Sequence, residues 1–424
     1  MSAGLTPDLG DPDVLARMFA PAGRHRAIGL AVSGGPDSLA LMLLAHRWAA
    51  SLPAPPKLFV YSLDHELRAE AHEEVAMVLD TAASLGLAAR GLCWTGEKPE
   101  TGLQEAARQA RYRLIGEAMK TDGATLLLTG HHRSDQAETV LMRLAHGSGI
   151  EGLKAMTPVS DVEGVAVFRP LLDVDPASLA VLVQDAGLSP ARDPSNHDLA
   201  YERVRWRKLL PALAEEGLDS ATLTRLAARM AEADAALAQM AEAAFAELVV
   251  LDGFGAASVP RAALDALSPA IGRRLLGRVL NIVGGRQKPR ALGQVERLYD
   301  QIIEGALPRA ATLLGAVARL RSDTLTVSRE PGRALPQDIV ILPRQGLVWD
   351  QRFLITNVSE DGSLVAGATD FMPRHRLEDF LGFKVTTPAE AIRTAPLVRD
   401  AAGDVLALGG WSFDERVKVE LLID

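Results

Sequence analysis

The chain has 424 residues, 48% of them hydrophobic and 23% charged, with a formal net charge of −9. That length calls for two or three domains, and the composition is that of a globular protein, not a disordered or fibrous one. The acidic balance excludes a uniformly basic nucleic-acid coat while leaving room for local basic patches, and the single cysteine, Cys93, excludes a disulfide framework and a cysteine-rich metal site.

A reducing cytoplasm fits that cysteine usage, and Cys93, inside the apolar run Ala88 to Trp94, is expected in the core. The N-terminal stretch MSAGLTPDLGDPDVLARMF has no basic segment followed by an apolar one, so no signal peptide is expected. No charge-free apolar run approaches the ~18 residues of a membrane span.

Ala27 to Val32 reads as a strand, and helical spacing runs from Pro36 to Ala50 after the loop Ser33-Gly34-Gly35-Pro36-Asp37-Ser38. Gly34 and Gly35 let the backbone approach a ligand closely, and Pro36 suits a first helical position. Loop amides and helix N-terminus then face outward together, favouring an anion by roughly 0.3 to 1 kcal/mol from the dipole alone. Ser33 and Ser38 add hydroxyls for phosphate oxygens. The loop lacks the lysine of the G-x-x-x-x-G-K-S/T pattern, so a different nucleotide chemistry is implied.

Further strands are expected at Lys57 to Leu63, Ala88 to Trp94, Ala124 to Thr129 and Val165 to Leu172, with helices at Ala69 to Leu85, Leu103 to Lys120 and Ser134 to Ala145. This alternation predicts an α/β fold, a doubly wound parallel sheet with ligands beyond the carboxyl ends of its strands. Polar clusters stand at those ends: the Ser33 loop, Asp64-His65-Glu66-Leu67-Arg68, and His131-His132 with Asp135.

Ser134 is expected to cap its helix. Asp135 and Glu138, three apart, share a helical face, either complementing the dipole or binding Mg²⁺, a hard cation that neutralises triphosphate charge. On the preceding helix Glu105, Arg108, Arg111 and Tyr112 fall along one stripe; the arginines can reach a phosphate, or Glu105 can simply pair with Arg108. His146 to Leu153 is rich in glycine and reads as a flexible cover. Arg192, Arg203, Arg205, Arg207 and Lys208, interleaved with Tyr201 and Trp206, form a strip suited to phosphate neutralisation and stacking on an unpaired base, or an ordinary charged helix.

The alternation ends near residue 215, which sets a catalytic domain at 1–215. Residues 216–332 read as mainly helical, with a basic field of Arg273, Arg274, Arg278, Arg286, Lys288, Arg290 and Arg297 suited to an RNA backbone. Residues 333–424 read as a small α+β domain, with one strand expected over Leu347 to Asn357.

Ser-Gly-Gly-x-Asp-Ser after a strand resembles the pyrophosphate (PP) loop of the ATP pyrophosphatase superfamily. Jointly, that loop, LDHELR at Leu63, HHRSDQAETVLMRLAHGSGIEGLKAM from His131, Arg169-Pro170-Leu171-Leu172, and Asp193-Pro194-Ser195-Asn196 followed by Arg203, Arg205 and Arg207 resemble the bacterial tRNA(Ile)-lysidine synthetase family. The resemblance implies a Rossmann-like PP-loop domain that joins L-lysine to carbon 2 of the wobble cytidine of tRNA(Ile) with a CAU anticodon, through an adenylated base, with release of AMP and pyrophosphate. It implies ATP on Ser33, Gly34, Gly35, Pro36, Asp37 and Ser38, Mg²⁺ on Asp135 and Glu138, and Asp37, His132, Arg108 and Arg111 as catalytic groups. Asp64, His65, Glu66, Arg68, Glu105, His131, Asp193, Asn196, Arg203, Arg205 and Arg207 are the expected contacts of lysine or tRNA. A homodimer is left open.

The chain departs from the family pattern at Ser134, where an acid is common, at Val204, where Asn is usual, and at Arg192, where an acid is common. Three alternatives are weighed. A tRNA thiolase sharing the loop would draw on paired cysteines or an iron–sulfur cluster, which Cys93 alone cannot supply. A small-molecule amidotransferase would not need the basic tracts after residue 190, and a tRNA-binding protein without turnover would not transfer lysine.

Overall fold

The computed structural model describes residues 8–66, 71–99, 101–191, 198–285, 292–332, 334–370 and 372–423. Arg68, Arg192, Asp193, Asn196, Arg286, Lys288 and Arg290 lie outside the described residues. The chain divides into two compact units, Met1–Asp234 and Ala235–Asp424. Among the described residues no helix is long and apolar enough to cross a membrane.

The first unit runs α1 (Pro12–Met18), β1 (Ala27–Ala31), α2 (Pro36–Ala50), β2 (Lys57–Asp64), α3 (Ala71–Ser84), β3 (Ala88–Cys93), α4 (Leu103–Asp122), β4 (Leu126–Thr129), α5 (Arg133–Ala145), α6 (Ile150–Leu153), β5 (Val159–Val162), β6 (Val165–Phe168), α7 (Pro176–Asp185) and α8 (Glu202–Glu215). Its sheet has the order β3-β2-β1-β4-β6-β5. Every neighbouring pair is parallel except β5 and β6, an antiparallel hairpin that the sequence did not announce.

Alternation along the strands builds two cores. Ile28, Leu30, Leu58, Val60, Leu126 and Leu128 face one side, under α2, α3 and α7. Tyr61, Leu127, Val165 and Val167 face the other, under α4. Helix α2 is buried almost all round, from Ser38 to Ala45, which is why its sequence shows no polar stripe. Gly29 makes room between the faces, because a Cβ there would stand 2.7 Å from the Tyr61 ring. Cys93 is exposed, contrary to expectation: β3 is an edge strand, and only partial burial alternates along it.

Helix α9 (Ser220–Leu248) contains the boundary between the units. The second unit continues with β7 (Val250–Leu251), β8 (Ala257–Pro260), α10 (Arg261–Ala266), α11 (Pro269–Gly284), α12 (Leu292–Ile303), β9 (Ala311–Leu313), β10 (Ala316–Arg321) and β11 (Thr324–Arg329). Beside its helices, the segment read as mainly helical thus contributes a five-stranded sheet, β7-β8-β11-β10-β9. Beyond it come β12 (Ile339–Ile341), β13 (Gly346–Trp349), β14 (Phe353–Asn357), β15 (Leu364–Ala368), α13 (Arg374–Leu381), α14 (Ala389–Arg393), β16 (Pro396–Arg399), β17 (Val405–Leu408), β18 (Trp411–Ser412) and β19 (Val417–Leu421).

The run expected as one strand, Leu347 to Asn357, is a hairpin. Its turn holds Asp350 and Gln351 at φ of 48° and 58°. Asp350 takes Arg329 at 3.0 Å and the fully buried Arg352 at 2.8 Å, so two guanidiniums secure the strained turn. Part of the expected basic field is neutralised within this unit: Arg273 lies 2.9 Å from Asp300, and Arg278 pairs with Glu242 and stacks 4.4 Å over Phe245.

Candidate active site

Three strand ends of the first unit open on one cavity of about 1010 Å³, lined among others by Ser33, Asp37, His65, Arg111, His131 and Arg207. The Ser33 loop leaves β1 with Gly34 at φ 85°, and Gly35 caps α2 in extended conformation without using a side chain. The loop braces itself: Ser33 N–H donates to Ser38 Oγ at 3.2 Å, and Ser38 Oγ donates to the Gly35 carbonyl at 2.9 Å. The Gly34 carbonyl accepts from Ala191 N–H at 2.9 Å, and the N-terminal turn of α2 carries the amides that favour an anion.

Gly130 joins this loop to β4. A Cβ at Gly130 would lie 2.9 Å from the Asp37 carbonyl oxygen and 3.2 Å from the Ser38 nitrogen, so only glycine admits the contact. His132, not Ser134, caps α5: its extended backbone places its N–H 3.0 Å from Asp135 Oδ2, while its Nδ1 faces Asp135 N–H at 3.4 Å. Serine would be the better cap by propensity, but the reciprocal reach of Asp135 sets the cap two residues earlier.

His132 Nε2 stands 3.5 Å from both Asp37 Oδ2 and Asp135 Oδ2. Burial opposes charge on this ring, but Asp37, Asp135 and Glu138 outweigh it and hold its pKa above the ordinary 6.5. Next to it, His131 has the opposite environment: burial and the guanidiniums of Arg169, Arg203 and Arg108 bring it down to about 4, with Asp135 opposing. His131 Nδ1 lies 2.9 Å from Thr129 Oγ1.

Glu138 has no exposed area. Burial pushes its carboxyl above the ordinary range, and Arg207 counters with Nε and Nη2 at 2.7 and 3.2 Å while Arg203 Nε stands at 3.4 Å. Arg203 and Arg207 lie one helical turn apart on α8 and face α5. Arg205 turns away and donates to the Leu199 and Ala200 carbonyls, both at 2.9 Å. Thus one helix splits the expected basic strip.

On α4, Glu105 accepts from Gln109 at 3.2 Å and not from Arg108. Arg108 packs over Tyr112 at 5.1 Å, and among the described residues no carboxylate pairs with it. Arg111 Nη2 lies 3.3 Å from His65 Nε2, and burial with Arg111 nearby brings His65 down to about 4. Asp64 accepts from Glu66 N–H at 2.7 Å, and Glu66 accepts from Cys93 Sγ at 3.1 Å, tying these acids to the strand edge. Arg143 donates to the Gly152 carbonyl of the glycine-rich segment at 2.6 Å and to the Ala155 carbonyl just beyond it at 3.0 Å, and the Gln136 amide bonds both backbone groups of Met156 at 2.8 and 2.9 Å.

Sequence reasoning did not single out the Gly130 contact, the Thr129 hydroxyl, or Lys208 as a cavity residue. A glycine directly after a buried strand and before two histidines was the available signal for the first.

The parallel sheet, the lysine-free glycine loop and the cavity at its carboxyl edge define a PP-loop protein, and a PP-loop domain profile matches residues 13–213. Such a domain binds ATP. The tRNA(Ile)-lysidine synthase of Rhodopseudomonas palustris is 48% identical over 75% of this chain and 94% of its own length. That of a Bradyrhizobium species is 44% identical over 75% and 94%, and that of Ruegeria pomeroyi 37% over 80% and 79%. The chain belongs to the tRNA(Ile)-lysidine synthase family, enzymes of ligase type.

Gly130→Ala must push α2 and β4 apart and is expected to lower ATP-dependent turnover by about 10²-fold, as small misplacements of reacting groups do; steady-state kinetics beside a thermal melt separates this from unfolding. The charge on His132 stabilises the fold. Because its folded pKa is raised, that contribution is whole below pH 6.5 and lost as pH rises through the raised value. Melts of the chain and of His132→Asn from pH 5.5 to 8.5 should converge as pH rises.

Proposed function

We propose that this chain uses ATP to ligate L-lysine to carbon 2 of the wobble cytidine of tRNA(Ile) with a CAU anticodon, forming lysidine. The carrying observation is that one cavity unites a phosphate cradle, a pair of carboxylates around His132 and a guanidinium, Arg108, that no described carboxylate neutralises. The cradle suits ATP, and the spare cationic wall suits a second, phosphate-bearing substrate. The names of the relatives supply the acceptor.

In this reading the loop amides and Ser33 and Ser38 hold the outer phosphates, and Arg108 and Arg111 face the phosphate that reacts. The base oxygen on carbon 2 attacks the α phosphorus and pyrophosphate leaves. The lysine amine then attacks carbon 2 and AMP leaves. Lysine arrives protonated, so its proton must be taken up inside the cavity, and His132 in its neutral form is placed to accept it.

The donor chemistry suits Mg²⁺. Among the described residues no group of three or more His, Cys, Asp or Glu forms a protein cage, and Mg²⁺ characteristically uses one or two carboxylates with substrate phosphates. Asp37 and Asp135 would hold it. Glu138, expected from sequence as a ligand, instead has both oxygens on arginines, which favours a role in positioning Arg207. Bound there, Mg²⁺ supplies charge neutralisation on the triphosphate.

Asp64, Glu66, Glu105 and His65 are assigned to the lysine and tRNA side of the cavity, with Arg203. Residues 216–332 and 333–424 are assigned to holding the tRNA, and the cytoplasm is the compartment this reading expects.

Labelled lysine tests the assignment. Label should enter tRNA(Ile) transcripts with a CAU anticodon only when ATP and the chain are both present. Failure of lysine to enter, with ATP still consumed, would contradict it.

A further inference from the structure

We infer that His131 is the residue that reads the wobble base: its Nε2 accepts a hydrogen bond from the exocyclic amine of a cytosine brought into the cavity, so that cytosine is taken and uracil refused. The inference rests on the function proposed above and assigns one of its residues a specificity role.

Position comes first. His131 follows Gly130 at the carboxyl end of β4, and Gly130 is locked against the Asp37 carbonyl, so the ring stands at a fixed offset from the phosphate cradle. Its Nδ1 is engaged by Thr129 Oγ1 at 2.9 Å, while among the described residues nothing bonds its Nε2. The residue lines the cavity, as do Arg108 and Tyr112.

Charge comes second. Burial and three guanidiniums keep the ring neutral, so one nitrogen carries a proton and the other a lone pair. Arg169 is a fixed member of that set: it is buried, and its Nη1 donates to the Thr157 carbonyl and Ser160 Oγ, both at 2.9 Å. Arg108 shares the cavity wall, and a cation there disfavours an N–H pointed towards it. In the tautomer that the inference takes, Nδ1–H donates to Thr129 Oγ1, which leaves the Nε2 lone pair for a ligand.

A lone pair in that place needs a donor. Cytosine offers its N4 amine at the edge where uracil offers the O4 acceptor, so uracil would set two lone pairs against each other. Polar sites of this kind discriminate far better than apolar ones, because a wrong partner leaves buried groups unpaired.

The test uses the full chain, ATP, lysine and two tRNA(Ile) transcripts that differ only in cytosine or uracil at the wobble position. The unaltered chain should favour cytosine in kcat/KM for pyrophosphate release by about 10²-fold or more, and His131→Ala should bring that ratio to within about tenfold of unity. ATP affinity, measured by equilibrium titration, should stay within about threefold for His131→Ala and for His131→Gln, as expected for a residue that touches the base and not the phosphates. Equal losses of kcat on both transcripts with the ratio preserved would overturn the inference and mark His131 as a proton carrier. Loss of ATP affinity in both variants would overturn it in favour of a phosphate role. If the unaltered chain transfers lysine to neither transcript, the proposed function falls and this inference with it; transfer with an unchanged preference in His131→Ala defeats the inference alone.

Discussion

The backbone of Gly130 lies against the carbonyl of Asp37 and the nitrogen of Ser38, closer than any side chain would allow. This contact joins the carboxyl ends of β1 and β4, neighbours in the sheet, and sets the spacing between a phosphate cradle and two histidines. Strand registry alone cannot do so, because the loops beyond the last paired residues are otherwise free to diverge. The interior alternation of Ile28, Leu30, Leu126 and Leu128 under the buried helix α2 makes the platform rigid enough for such a contact to be kept.

Around that contact the charges are sorted. Asp37 and Asp135 close on one imidazole nitrogen, and burial of Glu138 without exposed area would be costly if Arg207 and Arg203 did not meet it. Adjacent histidines consequently shift in opposite directions: His132, among carboxylates, is raised and His131, buried near guanidiniums, is lowered. A site that must hold a polyanion, discharge an ammonium ion and admit a nucleobase needs such separation within a few ångströms, because each step asks a different sign of field.

Much of this was legible in the sequence, and the illegible part has identifiable causes. Strand and helix positions followed from periodicity punctuated by Gly34, Gly35 and Pro36, and the three polar clusters followed from their place after apolar runs. The cap of α5 was misread because Ser134 has the better propensity while Asp135 supplies the deciding bond back to His132. Cys93 was misread because an apolar run does not reveal that its strand is an edge. The Glu138–Arg207 pair spans 69 positions of chain, and only the docking of α8 on α5 brings it together. Likewise, composition does not reveal that Arg143 holds the Gly152 carbonyl of the glycine-rich segment and Gln136 the Met156 backbone just beyond it.

The central claim is that the cradle holds the outer phosphates of ATP, so the bond next to the adenosine breaks. Phosphorus NMR of a reaction containing the chain, ATP, lysine and tRNA(Ile) reads this directly. Equal appearance of AMP and pyrophosphate is the predicted outcome. ADP and orthophosphate as the products would contradict the account.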